Sequence, residues 1–191
     1  MMLRDGMLLY HGSYARVEKI DLSLASPHKD FGKGFYLTSN QNQARNFLPS
    51  ALIKAKSRGL IPESHSSGFV STFRFHLNEA VKTYEFDTPS KEWLWFISQN
   101  RRKNLAQALI PLISDSVFQA EIIVGKVAND TTNPVITTYL NGLFGDVTSD
   151  RAINFAIEEL MTEHLDNQFC FLTEEAVSCL EFLEVREYVI R

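Results

Sequence analysis

Three segments of the chain each set one polar side chain in a short apolar run that is typical of a β-strand. The three polar residues and their segments are His11 in Leu-Tyr-His-Gly-Ser (residues 9–13), Tyr36 in Asp-Phe-Gly-Lys-Gly-Phe-Tyr-Leu-Thr (residues 30–38) and Gln168 in Asn-Gln-Phe-Cys-Phe (residues 167–171). An imidazole and an amide can hydrogen-bond hydroxyl groups, and a phenol ring can stack on a flat ring. Groups of these types suit a site that holds a ligand with hydroxyl groups and a flat ring.

Glycines accompany two of these polar residues. Gly12 follows His11 directly, and Gly32 and Gly34 precede Tyr36. A glycine at a strand end lets a ligand approach the backbone closely, as we expect at Gly12. The Gly-Lys-Gly run is not a dinucleotide fingerprint, because it lacks a third glycine and precedes a strand instead of following one. We interpret it as a mobile loop or turn over a cleft, with Lys33 near a diphosphate group.

The three segments, in this order, resemble the ADP-ribosyltransferase superfamily, whose members cleave NAD at the nicotinamide–ribose bond with a His, a Tyr and an acid. Within it, the chain resembles a bacterial family of uncharacterised domains, the domain-of-unknown-function family 3990. Four motifs carry this similarity: residues 9–13, residues 30–38 followed by Gln43-Ala44, Val-Ala-Asn-Asp at residues 127–130, and Asn-Gln-x-x-Phe-x-Thr-Glu at residues 167–174. The similarity extends from Leu9 to Phe182, and the first two motifs together make it specific.

The resemblance implies NAD as the substrate and assigns roles around its nicotinamide end. His11 would hold the ribose, the Gly12 backbone would bind the carboxamide, and Tyr36 would stack on the nicotinamide ring. Ser13 and Gly34 would lie beside the ligand as further contacts. The implied fold is α+β, an ADP-ribosyltransferase-like split β-sheet core with helices clustered between the strands, as one domain over residues 1–191.

Gln168 departs from the superfamily pattern. In the poly-ADP-ribose polymerase branch an Asn-Glu pair opens the equivalent strand, whereas this chain has Asn167-Gln168. An amide can bond a ribose hydroxyl but cannot act as a base, and losing a well-placed charge costs about 10²–10³ in rate. Chain elongation is therefore not expected. A compensating acid would be Asp130, in preference to Asp166 or Glu174, because loops after strands tend to line clefts.

The leading prediction is an NAD-dependent mono-ADP-ribosyltransferase that acts as a bacterial toxin or effector. Its acceptor, a protein or a nucleic acid, is not identified by the sequence, and a cognate antitoxin is expected by family analogy. One alternative is an NAD glycohydrolase, with water as the acceptor. The other is a catalytically inactive NAD-binding or protein-interaction module, for which Gln168 is the reason. Transfer to RNA phosphates is disfavoured, because that branch carries a second His where Tyr36 stands.

Bulk composition excludes several other classes of protein. With 45% hydrophobic and 22% charged residues, the composition is typical of a globular protein. A formal charge of −4 argues against tight binding of nucleic acid. The basic run at residues 101–103 is expected on a solvated face. The two cysteines are expected to be reduced thiols in the core. The histidines are not spaced as metal ligands are, so we expect no metal site. No apolar run approaches the length of a membrane helix, and the expected location is the cytoplasm, or a target cell after delivery.

Apolar periodicity and breaker residues predict strands at both ends of the chain with helices between them. The predicted strands cover residues 8–10, 35–38, 70–75, 81–86, 120–125, 169–172 and 180–190. The predicted helices start near residues 41, 89, 105, 132, 150 and 174, and the one over residues 105–113 should be kinked at Pro111. This order indicates an α+β fold with a mostly antiparallel or mixed sheet.

Overall fold

The computed structural model describes residues 2–27, 29–126, 132–160 and 167–190. The strands in these ranges are β1 (Leu8–Ser13), β2 (Phe35–Thr38), β3 (Ser67–Phe75), β4 (Thr83–Glu85), β5 (Ile122–Lys126), β6 (Asn167–Phe171) and β7 (Leu180–Val189). The α-helices are α1 (Gln41–Asn46), α2 (Leu48–Ser57), α3 (Lys91–Arg101), α4 (Asp115–Phe118), α5 (Thr132–Leu140), α6 (Asp150–Glu159) and α7 (Glu174–Ser178). Short 3₁₀ helices cover Leu22–Leu24 and Gln107–Leu112. The prediction of an α+β fold is confirmed.

All seven strands belong to one mixed sheet with the order β4-β5-β6-β2-β1-β3-β7. The β4–β5 pair is parallel, and the other neighbours are antiparallel. A single residue pair, Tyr10 with Thr38, joins β1 to β2. By contrast, β1 pairs with β3 over six residues and β2 pairs with β6 over four. The sheet therefore consists of two well-paired halves, β4-β5-β6-β2 and β1-β3-β7, that meet at a narrow junction.

The two faces of the sheet are covered by separate hydrophobic clusters. One cluster gathers Phe31, Cys170 and Ile123 with the buried faces of α3, α5 and α6. The second contains Leu9, Leu37, Phe73, Phe169 and residues of α7. A third, smaller cluster packs α1 and α2 over β1 and β3 through Ala44, Leu48 and Val70. Successive strand residues point to opposite faces, so strands such as β2, β5 and β6 contribute to more than one cluster.

The predicted helix caps agree with the structure. The side-chain oxygen of Asn40 accepts hydrogen bonds from Asn42 N at 3.0 Å and Gln43 N at 3.3 Å at the start of α1. Ser149 and Thr173 cap α6 and α7 in the same way. Both cysteines are free thiols in the core, as predicted. Short polar side chains before apolar periodic runs are thus reliable markers of helix starts in this chain.

Two predicted helices differ in detail because of proline. The helix that starts at Gln41 is divided at Phe47 into α1 and α2, with Pro49 in the first turn of α2. The segment predicted as an α-helix over residues 105–113 is instead the 3₁₀ helix Gln107–Leu112, which contains Pro111. Proline lacks the N–H that an α-helical hydrogen bond requires and its ring clashes with the preceding turn, so a short 3₁₀ segment replaces the expected helix.

Candidate functional site

The three polar segments lie on neighbouring strands at the centre of the sheet. β6, β2 and β1 are adjacent in that order, although more than 120 residues separate β2 from β6 in the chain. In the β2–β6 ladder Tyr36 pairs with Cys170, and Thr38 pairs with Gln168. The sequence motifs that contain His11, Tyr36 and Gln168 therefore meet at the junction of the two halves of the sheet.

His11 bridges β1 and β2 through its side chain. Its Nδ1 lies 2.8 Å from the carbonyl oxygen of Tyr36, and its ring centroid lies 4.5 Å from that of Phe35. A carbonyl oxygen can only accept, so Nδ1 carries the proton and donates it. Burial lowers the pKa of His11, and Lys29 lowers it further, while the bond to Tyr36 raises it. The ring is therefore neutral at pH 7, and its Nε2 presents a lone pair that can accept a hydrogen bond from a hydroxyl group.

Tyr36 is tied into the turn that precedes its own strand. Its hydroxyl donates to Gly32 O at 2.8 Å and accepts from Phe31 N at 3.0 Å. The Tyr36 and Phe31 rings are stacked, with centroids 6.4 Å apart. Burial raises the pKa of Tyr36 well above its ordinary value, so the phenol stays protonated. Tyr36 packs with the Phe31 cluster, whereas Phe35 and the adjacent His11 ring lie on the other side of β2.

The turn at residues 30–34 is anchored from α3 as well. The Asp30 carboxylate is buried and forms an ion pair with Arg101 Nε. The Asn100 side-chain nitrogen donates to Asp30 O at 2.9 Å. The segment is therefore a turn held by α3 and Tyr36. The prediction of a solvated face for the basic run is wrong at Arg101, because the buried carboxylate draws its guanidinium to a position where its side chain is 15% exposed.

Gly12 and Gly34 are both required by close packing of the chain against itself. A Cβ at Gly12 would lie 2.2 Å from the carbonyl oxygen of Ala44, because α1 passes directly over β1. A Cβ at Gly34 would lie 2.6 Å from Cys170 Sγ and 2.8 Å from Phe171 O. Both glycines are buried. The motif glycines thus allow α1 and β6 to approach the strands that carry His11 and Tyr36.

The remaining predicted site residues have different surroundings. Gln168 is half-buried, lies between Thr38 and Gly125 in the sheet, and its side chain makes no hydrogen bond with any described residue. Ser13 is half-buried, and its hydroxyl accepts from Ala15 N at 3.2 Å. Asp130, predicted as the compensating acid, lies outside the described residues. Because Gln168 pairs with Thr38 and Cys170 pairs with Tyr36, the Gln168 side chain lies on the Tyr36 side of the sheet, whereas the neutral His11 imidazole lies on the Phe35 side.

Two features of this region were not assigned from the sequence. Asp30 and Arg101 form the buried ion pair. Asp30 belongs to the same motif as Tyr36, and this membership is the feature of the sequence that could have marked it. Gln43 follows the cap of α1, and its side-chain oxygen is buried with no hydrogen-bond partner in the described ranges. Gln43 belongs to the Gln-Ala motif, but nothing in a single sequence separates a buried amide from an exposed one on a short helix.

Comparisons with known proteins confirm the predicted family of uncharacterised domains. A mixed sheet with a narrow central junction and helices on both faces defines an α+β domain whose motif residues gather at that junction. The chain belongs to the family described as "Protein of unknown function (DUF3990)", whose model matches residues 7–182. Neither the curated proteins nor the solved structures contain a match to the chain.

Metal-ligand groups and membrane-spanning helices are both absent from the described ranges. No group of three or more His, Cys, Asp or Glu side chains there is arranged to hold a metal ion. No helix within the same ranges is long and apolar enough to cross a membrane.

Proposed function

We propose that this chain is an NAD-dependent mono-ADP-ribosyltransferase of the ADP-ribosyltransferase superfamily, acting on a macromolecule. The observation that carries the proposal is the meeting of three motifs on adjacent strands: β1 with His11, β2 with Tyr36 and β6 with Gln168. Motifs that share one ligand site must lie close together, whereas unrelated strands of a sheet have no such requirement.

The narrow junction between the halves of the sheet is a second support. The resemblance implies a split sheet, and β1 and β2 pair only at Tyr10 and Thr38. His11 lies one residue beyond that pair and bonds the β2 backbone with its side chain. A place where two strands separate exposes backbone groups and side chains to a ligand, and the nicotinamide end of NAD would occupy this place.

The proposed reaction is displacement at the ribose carbon C1′. The bond from C1′ to the nicotinamide nitrogen breaks, its electron pair leaves with nicotinamide, and positive charge develops on the ribose. A nucleophilic atom of the acceptor forms the new bond to C1′ and loses its proton to solvent. His11 would accept a hydrogen bond from a ribose hydroxyl through Nε2 and so orient the ribose.

Gln168 also favours a second candidate, a catalytically inactive NAD-binding or protein-interaction module. An amide in place of the carboxylate removes charge stabilisation of the transition state, and this loss lowers the rate about 10²–10³-fold. The inactive module would bind NAD, or a protein, without releasing nicotinamide. NAD hydrolysis is the other outcome that the chemistry allows, because water can replace the macromolecular acceptor at C1′.

The experiment uses NAD that is radiolabelled in its adenylate phosphate, incubated with purified protein and a cell lysate. The transferase predicts a discrete labelled band that is absent when NAD labelled only in nicotinamide is used, because that label leaves. Free ADP-ribose without a band would mean hydrolysis and would contradict transfer. NAD that stays intact at high protein concentration would support the inactive module.

A further inference from the structure

Strand β7 forms one edge of the sheet. It lies last in the strand order and is ten residues long, whereas β4 at the opposite edge has three residues. Within the described ranges β3 is the only strand that pairs with β7. The outer side of β7 therefore presents a row of backbone N–H and C=O groups that can pair with another strand.

The β3–β7 ladder shows which backbone groups of β7 point outward. Ile190 N donates to Ser66 O at 2.8 Å, so these two residues form a hydrogen-bonded pair of the ladder. Hydrogen-bonded and non-hydrogen-bonded pairs alternate along an antiparallel ladder, and the register shift of this ladder lies outside the stretch concerned. The outward N–H and C=O groups consequently belong to Val185, Glu187 and Val189.

Opposite charges flank Val185 in the sequence. Arg186 Nη2 lies 2.8 Å from Glu184 Oε1, and both side chains are exposed. Because side chains alternate along a strand, these two point to one face of the sheet and Val185 points to the other. One face of the edge strand thus carries an anion and a cation placed symmetrically about Val185.

A second copy of the chain matches this pattern when its β7 lies antiparallel to the first, centred on Val185. In that register Glu184 of each copy lies directly opposite Arg186 of the other. Opposite charges across an antiparallel pair are stabilising, and like charges are destabilising. Moving the centre by one residue in either direction sets two Glu184 or two Arg186 side chains opposite each other. Moving it by two residues toward the C-terminus sets two Glu187 side chains opposite each other, so the charges favour the register at Val185.

We propose that β7 pairs with β7 of a second copy of this chain, antiparallel about Val185, so that one sheet continues through a two-fold dimer. The N–H and C=O groups of the two Val185 residues bond each other at the centre, and two Glu184–Arg186 contacts flank them on one face. This inference is independent of the proposed function, because it uses no residue of the candidate site. Charged edge strands can instead keep a protein monomeric, and a monomer is the opposing outcome of the test.

The test is the oligomeric state of the full chain, measured by sedimentation equilibrium over a range of concentrations. Glu184→Arg and Arg186→Glu should each weaken the wild-type dimer about tenfold, since two attractive pairs become repulsive. An equimolar mixture of these two variants should form a dimer again, because every charged pair is then of opposite sign. Glu158→Arg is the matched control: it makes the same charge change as Glu184→Arg at an exposed position of α6 and should leave the dimer unchanged.

Val185→Pro tests the backbone pairing separately from the charges. The N–H of Val185 points away from β3, so proline there removes no bond of the β3–β7 ladder but blocks the centre of the dimer. Circular dichroism establishes that each variant is folded, and folded Val185→Pro protein should be monomeric. A wild type that stays monomeric at millimolar concentration would overturn the inference. A dimer that persists in folded Val185→Pro, or a mixture of the charge variants that stays monomeric, would also overturn it.

Discussion

His11 Nδ1 and the Tyr36 carbonyl oxygen, 2.8 Å apart, connect the two halves of the sheet where their backbones stop pairing. The bond fixes the tautomer of His11, because a carbonyl can only accept, and it leaves Nε2 as the acceptor. A structural bond on one nitrogen thus prepares the other nitrogen for a ligand hydroxyl. The arrangement explains how one residue can serve both the fold and the proposed site.

Stability should decrease in mild acid because of His11. Burial holds its pKa in the folded state below the ordinary value of 6.5, so below that pH the unfolded chain binds a proton that the folded chain excludes. The contribution of His11 to the free energy of unfolding is fully present above pH 6.5 and is lost as pH falls. Urea unfolding from pH 5 to 8 should show this slope, and His11→Asn should reduce it. An identical slope in His11→Asn would contradict a half-buried, neutral imidazole.

Tyr36→Phe should destabilise the protein by about 1–3 kcal/mol, because Phe31 N–H and Gly32 C=O both lose their partner. Tyr10→Phe is the matched control, since the Tyr10 hydroxyl makes no hydrogen bond with a described residue and its removal should cost less than about 0.5 kcal/mol. Denaturant unfolding of both variants measures the difference. Equal losses would show that the Tyr36 hydroxyl does not hold the turn.

Gly12→Ala should cost about 3 kcal/mol or more, because the added Cβ would lie 2.2 Å from the Ala44 carbonyl oxygen and α1 would have to move. Gly59→Asn is the control: Gly59 has φ +68° with no heavy atom near its added Cβ, and Asn tolerates that conformation. Thermal unfolding should separate the two variants clearly. A Gly12→Ala protein as stable as the wild type would mean that α1 does not press on β1.

Gln168→Glu should raise nicotinamide release from NAD by about 10–100-fold, because a carboxylate on this strand would stabilise the positive charge that develops on the ribose. Gln119→Glu adds the same charge at an exposed position after α4 and should not change the rate. Release is measured by chromatography at saturating NAD. A folded Gln168→Glu protein with an unchanged rate would remove this side chain from the neighbourhood of the ribose.

Most of the local structure followed from the sequence, for reasons visible in individual residues. Asn40, Ser149 and Thr173 carry short polar side chains before apolar periodic runs, and each caps a helix. The strand-like runs around Tyr36 and Cys170 are apolar and bounded by breakers, and both are strands. These features depend on neighbours within a few residues, which a single sequence displays directly.

Long-range features could not be predicted in the same way. The order β6-β2-β1 depends on pairing between segments far apart in the chain, and the single-pair junction depends on how those strands diverge. The Asp30–Arg101 ion pair joins residues 71 positions apart, so the basic run was expected in solvent. The motif glycines suggest that a ligand approaches the backbone closely. In the structure Gly12 and Gly34 instead leave room for Ala44 and Cys170. Contacts of this kind leave no local signal.

The measurement that tests the central claim most directly is nicotinamide release from NAD by the wild type and by His11→Ala, side by side. The account predicts measurable release by the wild type in the presence of lysate and a loss of about 100-fold in His11→Ala, because the ribose loses its hydrogen-bond acceptor and its orientation. Circular dichroism establishes that the variant is folded. No release by the wild type, or equal release by the two folded proteins, would contradict an NAD-cleaving site at His11.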